Sequence, residues 1–285
     1  MTSRWIPTWT RSEALVHAVE RRQERCYYQT ISSPFIALPK SDGASSAPRS
    51  PVVVVLHERY GMVQHTKDMA NRLAGYGFAV VAPDLFSGGE TPSGIASRPR
   101  TSDSVANQTI RDAVTALTER APVDPRRVAV LGACRTGRYA LSYAAVEDLS
   151  CSVALYGAAQ PRDWEVTDDQ PDGLEGLIAA GNAPFLGLYG ELDHLISRED
   201  VLRLRDGMER HARSYVIHQV AGAPHGWLND TMPGRYRGGP AEFAWSVIVQ
   251  FLRQHFDQPT PHRTTWEYHA DIAVSYDFSS NKRLE

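Results

Sequence analysis

Three residues of types that together hydrolyse acyl groups occur in the chain, each shortly after a strand-like run. Cys134 lies in the segment GACRTG, after the apolar residues 128–131. Asp193 follows the apolar run 185–189, and His225 follows the run 214–220. A thiol attacks a carbonyl carbon once an imidazole takes its proton and a carboxylate orients that imidazole. The three residues therefore predict covalent acyl-transfer chemistry.

The segment around Cys134 has the pattern of a sharp turn between a buried strand and a helix. Such a turn strains the backbone of its central residue and needs small residues on both sides. Gly132 meets the first need, and the second glycine comes one position late, at Gly137. The turn would place the thiol at a helix N-terminus, where the helix dipole favours the thiolate. Cys26 and Cys151 lack such a turn, so we expect them to be structural.

Other residues compete for the acid and base positions. Glu191 is two residues nearer its strand than Asp193, and His194 adjoins the acid. Taken alone, an aspartate after a strand is usually a turn residue. The chain order nucleophile, acid, histidine, with each residue after a strand, favours Asp193 and His225. We expect His194 to line the pocket or to be exposed.

Strand-like and helix-like patterns alternate over about 200 residues. This alternation predicts an α/β protein in which a mostly parallel central sheet has helices on both faces. The turn at Cys134 and the order of the three residues point to the α/β-hydrolase fold within that class. Three regions follow: a lead-in over residues 1–25, a single domain over 26–257, and a C-terminal arm or tail over 258–285. Residues 26–38 are predicted to form one or two strands, and residues 40–51 a surface loop. The further predicted strands are 52–56, 78–82, 128–131, 153–156, 185–189 and 214–220, and the predicted helices are 64–76, 104–120, 139–146, 198–211 and 241–256.

The composition excludes several classes of protein. A formal net charge of −3 gives no electrostatic reason for a nucleic-acid partner. We find no apolar run long enough to span a membrane and no signal-like start, and three widely spaced cysteines favour a reducing compartment, so we expect a cytoplasmic protein. The histidines are scattered without metal-binding spacing, so we expect no metal. The sequence leaves a monomer and a homodimer open.

Five segments resemble the dienelactone hydrolase family, and together they extend from Val52 to Phe256. They are VVVVLHERYG, FAVVAPDLF, VAVLGACRTG, GELDHLI and the stretch from PHGWLNDT to AEFAWSVIVQFLRQHF. The resemblance implies a catalytic triad of Cys134, Asp193 and His225. It also implies that Glu58 is a carboxylate near the resting thiol that assists thiolate formation, and that no cofactor is needed.

In this fold the loop after the first buried strand supplies a second oxyanion donor. We assign the two donors to the backbone N–H groups of Arg59 and Arg135. The expected activity is hydrolysis of a small lactone or carboxylic ester through a thioester. The candidate substrate-binding residues are Tyr60, Phe86, Arg98, Trp227 and Arg235. For the three aromatic residues, packing in the core is the more common role.

The chain departs from the family pattern at two places. Its turn reads G-x-C-x-T-G where the family more often has G-x-C-x-G-G. Well-known members hold a substrate carboxylate with arginines, one of them shortly after the catalytic histidine, but residues 227–230 contain none. Arg100, Arg237, Arg59 and Arg135 therefore join Arg98 and Arg235 as candidates. An acyltransferase, thioesterase or cyclase with the same triad, and a catalytically silent binding protein, stay open as alternatives.

Overall fold

The computed structural model describes residues 33–40, 49–86 and 101–257. Within these ranges the chain forms seven strands and six helices. The strands are β1 (Phe35–Ala37), β2 (Ser50–Leu56), β3 (Ala79–Ala82), β4 (Val123–Ala133), β5 (Cys151–Leu155), β6 (Phe185–Leu192) and β7 (Tyr215–Pro224). The helices are α1 (Gln64–Gly75), α2 (Asp103–Arg120), α3 (Gly137–Ala144), α4 (Leu174–Ala180), α5 (Arg198–Arg210) and α6 (Gly238–Asp257).

The seven strands form one sheet in the order β1-β3-β2-β4-β5-β6-β7. Only β1 is antiparallel to its neighbour, and the other pairs are parallel. Parallel strands need crossover connections, and the helices between these strands supply them. The predicted α/β architecture with a mostly parallel sheet is confirmed.

The central strands are apolar on both faces because helices cover both sides of the sheet. On one face, side chains such as Val53 and Val55 pack with apolar residues of α1 and α6. On the other, Val52 and Val54 pack with α2 and α3. A third cluster joins α4 and α5 to β5 and β6. The sheet is thereby a rigid base for the residues that follow its strands.

The observed elements extend the predicted ones at several ends. Strand β2 begins at Ser50, inside the stretch predicted as a loop. Strand β4 begins at Val123, where it pairs with Ser50, and the register shifts after Pro51. The first part of β4 contains several polar residues, so a search for apolar runs does not detect it as a strand. Helix α4 was not predicted, since its seven residues are too few for a clear helical period.

The predicted lead-in over residues 1–25 and the predicted arm over 258–285 lie outside the described residues, so the domain boundaries stay a prediction. Most of the predicted strand region 26–38 also lies outside them, and β1 is the part that is described. In the described part of the chain, no helix is both long and apolar enough to cross a membrane.

Candidate active site

The residues singled out by the sequence lie at the carboxyl edge of the parallel sheet. Cys134 follows β4, Asp193 follows β6 and His225 follows β7. Glu58 follows β2 by two residues. Because parallel strands end at a common edge, side chains from distant parts of the chain meet here.

The turn at Cys134 has the strained backbone that its sequence predicted. Cys134 has a backbone φ of 56°, a value that residues other than glycine rarely adopt. It begins a single 3₁₀ turn, Cys134–Thr136, that leads directly into α3. A Cβ atom at Gly132 would lie 2.4 Å from the carbonyl oxygen of Thr136, so only glycine fits before the turn.

The late glycine of the G-x-C-x-T-G segment has a packing reason. A Cβ atom at Gly137 would lie 2.8 Å from the Cα atom of Gly157, in the loop after β5. Thr136 is itself accommodated: its hydroxyl accepts from the Ala133 N–H at 3.1 Å and donates to the Ala133 carbonyl oxygen at 3.0 Å, with the carbonyl oxygen of Leu56 at 3.4 Å. The threonine therefore closes the turn against the end of β4.

Cys134, His225 and Asp193 form a continuous chain of contacts. His225 Nε2 is 3.1 Å from Cys134 Sγ, and His225 Nδ1 is 2.8 Å from Asp193 Oδ2. The side chains of His225 and Asp193 are 3% and 0% exposed. The other Asp193 oxygen accepts the backbone N–H groups of Leu195 and Ile196, at 2.8 and 3.2 Å. The carboxylate is thus fixed on one side while it orients the imidazole on the other.

The surroundings of His225 favour its protonated form. Burial alone lowers the pKa of this imidazole, but the hydrogen bonds to Asp193 and Cys134 outweigh burial and raise the pKa to about 9. An imidazolium between a carboxylate and a sulfur atom is suited to hold the proton that a thiol gives up. The arrangement can therefore generate a thiolate and later return the proton.

Glu58 lies beside this chain and is 4% exposed. Its Oε1 accepts the Tyr156 hydroxyl at 2.9 Å, and its Oε2 accepts the Asn229 side-chain N–H at 2.9 Å. The Tyr156 ring packs edge-on against the rings of His225 and Trp227. Sequence reasoning missed Tyr156 and Asn229, although the segment HGWLND places Asn229 four residues after the histidine.

A second buried histidine, also missed, holds the loop of Glu58. His57 Nδ1 is 2.7 Å from the Glu58 carbonyl oxygen, and His57 Nε2 accepts the Leu85 N–H at 3.0 Å. Its ring lies edge-on to Phe86. The loops after β2 and β3 are thereby joined below the site.

A recess opens above Cys134, with an empty volume, including its mouth, of about 410 Å³. Glu58, Cys134 and His225 form part of it, and the loops add Arg59, Tyr60, His194, Leu195, Gly226, Met232 and Arg235. Tyr60 and Arg235 therefore lie where the sequence predicted substrate-binding residues. His194 also lines the recess, which was one of the two positions expected for it.

Other candidates lie elsewhere. Trp227 and Phe86, the two other aromatic candidates for pocket walls, are buried in the core and are absent from the recess lining, which agrees with the core packing that we expected more often for such residues. A large apolar ring beside a site gains more from burial in the core than from exposure in a cleft. Arg98 and Arg100 lie outside the described residues. Glu191 is exposed and accepts the Gly222 N–H at 2.9 Å, away from the recess.

Arg135 directly follows Cys134, so its backbone N–H adjoins the thiol, while Arg59 lines the recess from the loop after β2. Arg237 is exposed, and its side chain donates to the carbonyl oxygens of Gly234 and Tyr236. Among the residues that the structure describes, no three histidine, cysteine, aspartate or glutamate side chains are grouped to hold a metal ion.

The fold is that of the α/β-hydrolases. The sequence profile of the dienelactone hydrolase family matches residues 38–256. The chain belongs to this family, and it is an enzyme of the class that hydrolyses carboxylic esters and lactones. Its substrates are accordingly small molecules.

Individual relatives agree with this assignment. A protein of Escherichia coli O157:H7 named "Putative carboxymethylenebutenolidase" is 29% identical over 213 residues, which cover 72% of this chain and 77% of the relative. A Bradyrhizobium protein named "Probable 2-oxo-3-(5-oxofuran-2-ylidene)propanoate lactonase" is 28% identical and covers 73% of this chain and 85% of its own. The crystal structure titled "Putative Dienelactone Hydrolase" from Klebsiella pneumoniae superposes with a TM-score of 0.69 at 26% identity, over 78% of this chain and 92% of that one.

Proposed function

We propose that this protein hydrolyses a small lactone or ester that carries a carboxylate, with Cys134 as nucleophile, His225 as general base and acid, and Asp193 as the group that orients His225. The observation that carries the proposal is the continuous contact from Cys134 Sγ to His225 at 3.1 Å and on to Asp193 at 2.8 Å. The strained backbone of Cys134 supports it, because strain at a buried residue persists where the surrounding structure enforces it.

The reaction has two halves. His225 takes the thiol proton, and the thiolate attacks the carbonyl carbon while the backbone N–H groups of Arg59 and Arg135 stabilise the oxyanion. The bond from the carbonyl carbon to the leaving oxygen breaks, that oxygen takes the proton from His225, and a thioester on Cys134 results. Water then gives a proton to His225 and attacks the thioester, and Cys134 leaves as the thiol once His225 returns the proton.

The charge of the recess supports an anionic substrate. Arg59 and Arg235 both line it, and each is only partly buried. Nε of Arg59 is buried without a hydrogen-bond partner in the structure, and its guanidinium lies 5.2 Å from the Tyr60 ring centroid. Guanidinium groups bind carboxylates well. The lactone named for the Bradyrhizobium relative, a propanoate, is an anion of this kind.

The thioester is the step that tests the proposal. We expect rapid mixing with p-nitrophenyl acetate, followed by acid quenching and peptide mass spectrometry, to place an acetyl group on the Cys134 peptide, and hydroxylamine to remove it. A panel of neutral esters, carboxylate-bearing lactones and acyl-thioesters should then show the highest kcat/KM for the anionic lactones. Turnover with no acyl group on Cys134 would contradict the mechanism, and rates that depend on an added acceptor would favour a transferase.

The matched control separates substrate binding from chemistry. Arg235→Gln should raise the KM for an anionic lactone while leaving the kcat/KM for p-nitrophenyl acetate nearly unchanged, because the neutral ester has no carboxylate to lose. Equal losses for both substrates would remove Arg235 from the carboxylate site.

A further inference from the structure

We propose that Tyr156 and Asn229 are positioning residues that hold the Glu58 carboxylate in place beside Cys134 and His225, so that the contribution of Glu58 to catalysis depends on both donors. The inference rests on the proposed function, since Glu58 matters to catalysis only if Cys134 and His225 react. The pair of donors is called the Glu58 clamp below.

The clamp engages both oxygens of the carboxylate. Tyr156 donates its hydroxyl to Oε1, and Asn229 donates its side-chain N–H to Oε2, each at 2.9 Å. Tyr156 is 0% exposed, Asn229 is 1% exposed and Glu58 is 4% exposed. A buried carboxylate with two short hydrogen bonds loses both if it rotates away, so the clamp opposes such movement.

Each donor is itself held in its orientation. The Asn229 side-chain oxygen accepts both the backbone N–H and the hydroxyl of Thr231, at 3.1 and 2.6 Å. That leaves the amide nitrogen, which can only donate, directed at Glu58. Burial, followed by the charge of Glu58, raises the pKa of Tyr156 well above its ordinary value, so the phenol stays a donor at neutral pH.

The backbone of Tyr156 gives a second reason to regard it as more than a packing residue. Its φ is 38°, a conformation that costs free energy for a bulky side chain. The strained position directs the hydroxyl to Glu58 and keeps the ring edge-on to His225, with centroids 5.3 Å apart. One residue therefore contacts both the carboxylate and the base.

The chemical consequence concerns the position of a carboxylate next to the reacting groups. His225 contacts the sulfur atom directly and is held by Asp193. The clamp holds the Glu58 carboxylate at the recess that Cys134 and His225 also line. What Glu58 contributes to the reaction therefore depends on the position that Tyr156 and Asn229 give it.

The test is a double-mutant cycle measured as kcat and KM with an anionic lactone. Asn229→Ala and Tyr156→Phe should each lower kcat about tenfold with little change in KM, because a hydrogen bond to a charged group is lost. In the Glu58→Gln background the same substitutions should cost less than about threefold, since the carboxylate they position is gone. Losses that multiply independently in the two backgrounds would overturn the clamp.

The pH dependence of kcat distinguishes a positioning role of Asn229 from a purely structural one, because a structural role would not make the effect of a substitution depend on pH. In Asn229→Asp the new carboxylic acid can donate to Glu58 when protonated and repels it when ionised. The ratio of its kcat to that of the wild type should therefore fall as pH rises. Asn182→Asp, the same change at an exposed residue that accepts from Arg213, should give a flat ratio. A flat ratio for Asn229→Asp as well would also overturn the inference.

Failure of the clamp and failure of the proposed function give different results. If Cys134 is not the nucleophile, Cys134→Ala retains turnover, and both the proposed function and the clamp are wrong. If only the clamp is wrong, Cys134→Ala is inactive and the Asn229 and Glu58 substitutions act independently. Thermal unfolding of every variant identifies any that fail to fold, and Tyr156→Phe, which keeps the ring, is the variant most suited to remain folded.

Discussion

Cys134 and Cys151 are both buried and both free, and one follows β4 while the other begins the neighbouring parallel strand β5, yet they differ in nearly everything else. Cys134 follows the carboxyl end of β4 in a strained turn and contacts His225. Cys151 begins β5 in regular strand conformation, and complete burial raises the pKa of its thiol far above the ordinary value. Burial alone therefore makes a thiol inert, and a base at the sulfur atom is what makes it reactive.

The most direct way to break this comparison is to remove each thiol in turn. Cys134→Ala should lower kcat/KM by about 10³-fold or more, because covalent catalysis is lost. Cys151→Ala should leave kcat/KM within about twofold, because its thiol has no base. Steady-state hydrolysis and peptide mapping after iodoacetamide treatment measure both. Retained hydrolysis in Cys134→Ala would end the comparison.

Removing the carboxylate of Asp193, which orients His225, should affect the reactivity of Cys134 and leave that of Cys151 unchanged. Asp193→Asn should lower kcat by about 100-fold, because His225 loses the acceptor that fixes its ring and stabilises its imidazolium. Alkylation of Cys134 at neutral pH should slow in the same variant, while Cys151 stays unmodified. Unchanged alkylation of Cys134 would show that Asp193 does not act through the imidazole.

The segments that follow β4 and β5 meet at Gly137 and Gly157, so an added methyl group there tests the turn. Gly137→Ala should reduce the free energy of unfolding by about 1–3 kcal/mol, because its Cβ would lie 2.8 Å from Gly157. Gly75→Ala, whose Cβ meets nothing within 4 Å, should instead stabilise by about 0.5–1 kcal/mol. Urea unfolding measures both, and equal effects would refute the packing account.

The titration of His225 provides the finest comparison. Its pKa of about 9 lies above the unfolded value, so the protonated ring contributes stability below pH ~6.5 that is lost as pH rises to 9. Because the Cys134 hydrogen bond is among the causes, Cys134→Ala should lower this pKa and Cys151→Ala should leave it unchanged. NMR titration of the His225 ring carbon follows both, and an unchanged value in Cys134→Ala would exclude the sulfur contact.

The sequence predicted the sheet, its helices and the residues after each strand, because apolar strand runs and a glycine-flanked cysteine are local signals. It predicted neither the Glu58 clamp nor the role of His57, since Tyr156, Asn229 and Glu58 meet only after folding. For Trp227 and Phe86 the sequence leaves core and pocket both open, because aromatic residues near a site have the same local pattern whether they face a core or a cleft. The cytoplasmic location and the choice between monomer and homodimer stay predictions.

The recess is lined by residues held in the core and by loop residues, and these two groups differ in how easily they can be substituted. Cys134 and His225 follow strands directly and are bound into the core, whereas His194, Leu195, Met232 and Arg235 belong to the loops after β6 and β7. In the described structure none of these four side chains hydrogen-bonds to Cys134, His225 or Asp193, although the His194 ring lies edge-on to His225 and the Leu195 backbone N–H donates to Asp193. A protein engineer can therefore exchange the outer residues to alter which acid or alcohol is accepted while the machinery beneath stays intact.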